Sequence, residues 1–169
     1  MTAAIRAHSL LASLMLLACL PWGARAAGVG DLAPDWSLKS PTGEPVQFYA
    51  DSKDKVSVVL FWATWCPFCR KLMPHIQIVA DEFRDQPVRF YALDVWEDAD
   101  PVAHMKKHGF TFSLLLAAEP AADAYGVKGT PGLFVVDRKH TIRYMRVSGE
   151  DDLDAEIALR EILTAALAE

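Results

Sequence analysis

The junction between an apolar run and a pair of cysteines constrains the fold of this chain more than any other feature. Val56 to Trp62 is apolar almost without alternation, which is typical of a central strand covered on both faces. Cys66 and Cys69 follow directly. A helix that begins at Cys66 places its sulfur among unpaired backbone N–H groups, which favour thiolate over thiol. We therefore expect Cys66 to be a nucleophile and the more buried Cys69 to resolve the bond that Cys66 forms.

The first 26 residues have the composition of a secretory signal peptide. Arg6 and His8 precede an apolar run from Leu10 to Leu20, and Ala24-Arg25-Ala26 forms a small-residue cleavage signal. The run is short for a membrane span. We therefore expect removal of residues 1–26 and export, with the periplasm of a bacterium as the destination.

Two alternatives for the leader stay open. The leader is retained as a membrane anchor in one of them. In the other, Leu16-Leu17-Ala18-Cys19 acts as a lipoprotein signal and Cys19 carries the lipid. In each case residues 27–169 have the length of a single domain.

The number of cysteines and the net charge indicate which kinds of function the chain can have. The chain has three cysteines, and removal of the leader leaves only Cys66 and Cys69. A disulfide across a two-residue loop stabilises a fold little, so the spacing favours a redox pair over a structural staple. The whole chain has a formal net charge of −5, and the leader contains basic but no acidic residues. This acidic balance argues against nucleic-acid binding.

The periodicity along the rest of the chain predicts an N-terminal hairpin followed by alternating strands and helices. The predicted strands lie at 56–62, 88–94, within 111–116, at 132–137 and at 141–147, after a hairpin within 31–48. The predicted helices begin at Cys66 and end before Pro87, with an interruption at Pro74, and lie at 101–108, at 120–125 as a turn or two, and at 152–168. The last helix has Leu153, Ile157, Leu163 and Leu167 on one side. This order predicts an α/β sheet with helices on both faces.

A proline directly before a predicted strand is the second informative feature. Thr130-Pro131 follows Gly129 and precedes the strand at 132–137. A cis bond here would present the Thr130 backbone beside Cys66, whereas a trans bond would simply open the strand. The spacing alone leaves both forms open.

Together these motifs resemble the thioredoxin superfamily. The shared features are Trp65-Cys66-Pro67-Phe68-Cys69, Pro74 eight residues after the first cysteine, and Gly129-Thr130-Pro131 before a hairpin. The leader, the Ala33-Pro34-Asp35 entry and the hairpin are similar to exported members of the TlpA and ResA type. The resemblance implies a thioredoxin-like fold with a central mixed sheet, helices on both faces and an N-terminal β-hairpin extension.

The resemblance also implies thiol-disulfide exchange with protein substrates. Cys66 attacks, a mixed disulfide forms, and Cys69 resolves it, without a cofactor or a metal. Pro131 is then a cis proline, and Thr130 pairs its backbone with the substrate. Side chains around the pair support the substrate, namely Trp65, Pro67 and Phe68. We expect a monomer that reduces or interchanges disulfides rather than a general oxidant, and a separate redox partner that regenerates the pair.

The chain departs from this family at the buried acid that many relatives carry near the cysteines. Leu60 stands six residues before Cys66, and Leu72 stands three residues after Cys69, so neither position holds a carboxyl group. Glu97 or Asp98, in the loop after the 88–94 strand, is a candidate to replace it.

Two other functions stay open. A thiol peroxidase of the peroxiredoxin type shares the Ala-Pro-Asp entry, although Val59 stands where such an enzyme has a proline. A copper or other metal carrier would use the cysteines with a histidine. His104 and His108, with Asp100 one turn earlier, form a candidate metal-binding face, for which a solvated helix face is the simpler interpretation.

Overall fold

The structure is a computed structural model that describes residues 26–146 and 149–169. Its elements in chain order are β1 (Ser37–Lys39), β2 (Pro45–Gln47), α1 (Phe48–Asp51), β3 (Val56–Trp62), α2 (Pro67–Glu82), β4 (Val88–Asp94), α3 (Pro101–His108), β5 (Ser113–Leu115), α4 (Glu119–Tyr125), β6 (Gly132–Val136), β7 (Ile142–Met145) and α5 (Asp152–Leu167). The predicted leader up to residue 25, and Val147 at the end of the last predicted strand, lie outside the described residues.

A five-stranded mixed sheet forms the centre of the domain, with the strand order β5-β4-β3-β6-β7. β3 pairs in parallel with β4, and β4 with β5, whereas β6 runs antiparallel to both β3 and β7. β1 and β2 form a separate antiparallel hairpin. The predicted N-terminal hairpin and mixed sheet are confirmed.

Both faces of the central strand β3 are buried, as its apolar run predicts. Its even-numbered residues, such as Leu60 and Trp62, belong to the core layer that contains residues of α2, α3 and α5. Its odd-numbered residues, such as Val59 and Phe61, belong to the opposite layer, with residues of α1 and α4. Full burial of each such large apolar side chain stabilises the fold by about 1.5–3 kcal/mol relative to leaving it exposed. The helices therefore cover both faces of the sheet.

The helix after the cysteines begins where the sequence predicts it. Cys66 is the N-cap of α2, and Pro67 occupies the first helical position, where a missing N–H costs nothing. Leu72, Ile76 and Val79 are buried along one side. α3 likewise matches its predicted bounds, and Gly109 ends it with a φ of 71°.

Three predicted details were wrong. α2 continues through Pro74 as one helix from Pro67 to Glu82, whereas the sequence predicted an interruption there. The second strand of the hairpin ends at Gln47, because Phe48 begins α1 and stacks on Trp36 with 4.9 Å between the ring centroids. On α5, Leu153 and Ile157 are 53% and 44% exposed. The buried side of this helix consists of Ala155, Leu159, Leu163 and Ala166. The prediction counted only large apolar residues and so missed the alanines that pack against the core.

Within the described residues, every helix is too short or too polar to cross a lipid bilayer.

Candidate active site

The two cysteines lie where β3 passes into α2. They form a disulfide, with 5.3 Å between their Cα atoms. The backbone N–H of Cys69 donates a hydrogen bond to Sγ of Cys66 at 3.1 Å. The residues are 1% and 0% exposed, so exposure barely distinguishes them. The N-cap position and this N–H bond distinguish Cys66, because both favour negative charge on its sulfur.

Thr130 and Pro131 form the wall of the site opposite the cysteines. Antiparallel pairing of β6 with β3 aligns Gly132 with Phe61 and so brings the two loops together. The Thr130–Pro131 peptide bond is cis. The Thr130 carbonyl oxygen lies 3.5 Å from Sγ of Cys66. The structure therefore places backbone polar groups directly beside the sulfur.

Aromatic side chains surround this point on the surface. Trp65, Phe68 and Trp96 are 46%, 65% and 39% exposed, and Pro67 is also exposed. The indole N–H of Trp65 donates to the Trp96 carbonyl oxygen at 2.8 Å. Trp62, by contrast, is fully buried beneath the site. The result is an apolar rim around the cysteines.

An open groove extends from this rim. It has a volume of about 1120 Å³, and Phe68, Lys71, Val127, Thr130 and Met145 are among the residues that line it. A groove of this size accommodates several side chains of an extended peptide. The groove therefore borders Phe68 and Thr130 of the site and also Met145 of β7.

A carboxylate holds the loop before the cysteines in place. Glu97 accepts hydrogen bonds from the backbone N–H of Thr64 at 2.7 Å and from the Thr64 hydroxyl. The N–H groups of Asp98 and Ala99 donate to the same carboxylate. Burial alone would raise the pKa of Glu97, but hydrogen bonds from Thr64 and the other donors lower it below its ordinary value. Glu97 is therefore held as the anion.

Asp94 lies behind Glu97 and was missed by the sequence reasoning. It is the last residue of β4 and is only 5% exposed. Its Oδ1 has no hydrogen-bond partner among the described residues. Burial, followed by the hydrogen bond and charge of Glu97 and the charge of Glu119, raises the pKa of Asp94 to about 8. The available signal was a carboxyl group at the end of an otherwise buried strand.

Among the described residues, no histidine forms a hydrogen bond with either cysteine. His104 packs against Trp62 and His108, at 5.3 Å and 4.5 Å between ring centroids, and burial and the charge of His108 lower its pKa. Asp100 instead caps α3 through the N–H of Ala103. The described part of the chain contains no group of three or more Cys, His, Asp or Glu side chains suited to a metal ion.

Comparison with known proteins identifies a matching family and several similar proteins. The AhpC/TSA family matches residues 29–145. The thioredoxin-like protein YneN of Bacillus subtilis (strain 168) is 31% identical over 122 residues, which are 70% of this chain and 71% of YneN. The thiol-disulfide oxidoreductase ResA of the same strain is 30% identical over 117 residues, or 68% of this chain and 65% of ResA. The matches thus span about two thirds of each relative.

A solved structure extends the likeness to the fold. The crystal structure of a thiol:disulfide interchange protein of the thioredoxin family from Chlorobium tepidum TLS matches with a TM-score of 0.69 and 26% identity. The match covers 84% of this chain and 99% of that one. The predicted thioredoxin-like fold is confirmed.

Proposed function

The chain belongs to the AhpC/TSA family, and from this premise we propose that it is an exported thiol-disulfide oxidoreductase that exchanges disulfides with protein substrates through Cys66 and Cys69. The observation that carries the proposal is the environment of Cys66. Its sulfur caps a helix, accepts an N–H bond from Cys69, and lies against the Thr130 carbonyl. This arrangement combines an activated sulfur with a backbone edge for a substrate.

The exchange takes place in two steps. In the reduced protein, the Cys66 thiolate attacks one sulfur of a substrate disulfide, and the other substrate sulfur leaves as a thiolate that takes a proton from water. Cys69 then loses its proton to water and attacks Sγ of Cys66. The second substrate sulfur leaves, and the Cys66–Cys69 disulfide forms. Two electrons pass from the protein to the substrate, and the helix N-terminus stabilises the thiolate that begins the sequence.

Backbone pairing and the apolar rim provide the substrate site. An extended substrate segment pairs with the backbone of Thr130, next to the cis Pro131. Trp65, Pro67 and Phe68 contact apolar side chains that flank the substrate cysteine, since all three are exposed. The substrate class is thus a polypeptide with an accessible disulfide or thiol.

The cellular setting follows from the leader and the direction of exchange. We infer that residues 1–26 direct export, that residues 27–169 form one working domain in the periplasm, and that this domain acts as a monomer. A separate thiol-disulfide partner returns the pair to its starting state. The exchange direction is reduction or interchange rather than general oxidation.

The test is disulfide exchange with a small protein substrate such as insulin. We expect the reduced protein to reduce the substrate disulfides, and Cys66→Ser to lower the rate by at least a hundredfold, because the remaining Cys69 lacks the helix N-cap position of Cys66. Rapid consumption of peroxide without disulfide exchange would favour a peroxidase instead. Stoichiometric copper or zinc that is lost in Cys66→Ser would favour a metal carrier.

The direction of exchange is tested by a redox titration of the cysteine pair against glutathione. A reductase or interchange protein should have a reduction potential well below that of strong oxidants, which lie near about −120 mV. A potential close to that figure would contradict the proposed direction.

A further inference from the structure

The N-terminal segment, residues 26–28, lies at the substrate groove but has no role in the exchange mechanism above. All three of its residues line the groove, together with Phe68 and Thr130 of the site. Ala27 is only 9% exposed and belongs to the core layer that contains residues of α1 and α4. The first residues of a domain are usually poorly ordered unless contacts hold them. The burial of Ala27 therefore indicates that specific contacts hold this segment against the domain.

Hydrogen bonds to β7 hold the residues that follow the segment. The N–H of Gly30 donates to the Ile142 carbonyl oxygen at 2.8 Å, and the N–H of Ile142 donates to the Asp31 carbonyl oxygen at 2.9 Å. The N–H of Gly28 donates to the Asp31 carboxylate at 3.0 Å, and the N–H of Asp31 donates to the Gly28 carbonyl oxygen at 3.0 Å. This tight turn fixes the direction in which the segment runs from β7.

The other end of the segment packs against Gly126. This glycine ends α4 in the left-handed region, with a φ of 75°. A Cβ at position 126 would lie 3.0 Å from the Cα of Ala26 and would clash with its Cβ. Glycine therefore leaves room for the main chain of Ala26 that any other residue would fill. The segment is in direct contact with the loop that begins at Gly126.

That loop continues from Gly126 to Thr130 and Pro131. Val127, the second residue of the loop, is 7% exposed. Both of its γ-methyl groups lie 3.1 Å from the place that a Cβ on Gly132 would occupy, directly after Pro131. Val127 thus packs against the far end of its own loop. A shift of the N-terminal segment therefore reaches the Thr130 carbonyl beside the redox pair through closely packed groups.

We propose that the N-terminal segment is part of the substrate-binding site: it forms one wall of the groove, positions the Thr130 loop, and so determines how well extended polypeptides bind. The inference rests on the proposed thiol-disulfide exchange and names a specificity-determining segment for it. The segment contacts the substrate chain beside Thr130 and acts on Cys66 only through the loop.

The size of the substrate determines how much it depends on this wall. A small disulfide reaches Sγ of Cys66 at the rim, whereas a polypeptide that pairs with the Thr130 backbone extends into the groove. A wall that is already ordered lowers the entropy cost of fixing such a chain. Loss of the wall should therefore weaken the reaction with a polypeptide more than the reaction with a small disulfide.

The first experiment removes the wall. The predicted cleavage before Ala27 leaves two residues of the segment, so reduced proteins that span residues 27–169 and 29–169 are compared. Each reacts with the symmetrical disulfide of an extended peptide that has one cysteine, and with 2-hydroxyethyl disulfide. The readout is kcat/KM for the peptide divided by kcat/KM for the small disulfide, because effects on the reactivity of Cys66 cancel in this ratio.

We expect the shorter protein to have a ratio about three- to tenfold lower, mainly through a higher KM for the peptide. The hydrogen bonds of Gly30 and Asp31 to β7 remain in it and hold the rest of the N-terminal chain in place.

The second experiment displaces the segment without a deletion, in a chain that keeps Ala26. Gly126→Ala is compared with Gly109→Ala. Gly109 ends α3 with a φ of 71°, and a Cβ added to it would have no described neighbour within 4 Å. The two variants thus introduce similar backbone strain, but only Gly126→Ala clashes with the segment. We expect Gly126→Ala to lower the ratio by about threefold or more, and Gly109→Ala to keep the wild-type ratio.

Equal ratios for the proteins that begin at residues 27 and 29 overturn the wall. Equal ratios for Gly126→Ala and Gly109→Ala overturn the positioning contact, and this pair decides the question if the shorter protein does not fold. Failure of the proposed function is a separate result, since a wild-type protein that reduces neither disulfide gives no ratio to compare.

Discussion

At the scale of single residues, the site depends on backbone groups more than on side chains. Cys66 receives an N–H bond from Cys69 and contacts the Thr130 carbonyl, so the sulfur that attacks is defined by the helix N-terminus and the opposite loop. Two charged residues hold this loop, Glu97 and Arg70, and both bind Thr64. Substitutions around the two cysteines that keep the backbone in place should therefore preserve the reaction.

Two buried serines give a matched test of the polar interior. Ser57, the second residue of β3, has a hydroxyl without a hydrogen-bond partner among the described residues, whereas the Ser52 hydroxyl donates to the Phe48 carbonyl at 2.6 Å. Both residues are at most 1% exposed. We expect Ser57→Ala to raise the free energy of unfolding in urea by about 1 kcal/mol, and Ser52→Ala to lower it by about 1 kcal/mol. Equal destabilisation by both would show that the Ser57 hydroxyl is hydrogen-bonded.

Short sequence motifs were enough to predict the cysteines, the aromatic rim and Thr130-Pro131. Asp94 could not, since its raised pKa depends on burial and on acidic neighbours outside β4, which no local pattern reports. Glu97 was a candidate to replace the acid missing at Leu60 and Leu72. The structure gives it contacts with Thr64, a role that the sequence did not suggest.

At the scale of elements, α2 and α5 pack side by side on the cysteine face of the sheet. His75 on α2 lies 2.6 Å from Glu156 on α5. Arg160 on α5 binds both Glu156 and, through two hydrogen bonds, Glu82 near the end of α2. His75 is therefore part of the contact between two helices.

The buried side of α5 provides the prediction at this scale. Leu163 is fully buried and Leu153 is 53% exposed, although both belong to the side that the sequence pattern predicted. Leu163→Ala should lower the free energy of unfolding by about 2–5 kcal/mol because it leaves a cavity in the core. Leu153→Ala should change it by no more than about 0.5 kcal/mol. The measurement is denaturant unfolding, and equal losses for the two variants would support the predicted side over the observed one.

Helix and strand bounds followed the sequence closely where apolar runs were long. β3, β4 and α3 have the predicted bounds, because a continuous buried strand or a Pro-to-Gly helix has strong signals at both ends. The errors occurred where tertiary contacts determine the bounds of an element or its buried side. Phe48 enters α1 to stack on Trp36, and alanines on α5 permit close packing that counts of large residues overlook.

At the scale of the whole molecule, the strand order creates the site. The cysteine loop follows β3, and the Thr130 loop precedes β6, and the two strands are antiparallel neighbours. Residues 64 positions apart in the sequence therefore meet at one end of the sheet. The motifs predicted both loops of the site. Only the structure shows how close the two loops lie to each other.

The most direct test of the central claim is to trap the bond that Cys66 forms with a substrate. Cys69→Ser and Cys66→Ser are each mixed with a peptide disulfide, and the products are identified by intact-protein and peptide mass spectrometry. We predict that Cys69→Ser accumulates a stable mixed disulfide on Cys66, because the attacking sulfur is present and the resolving sulfur is absent. Cys66→Ser should form little or none. A mixed disulfide that forms on Cys69 of Cys66→Ser at a comparable rate would contradict the assignment of Cys66 as the nucleophile.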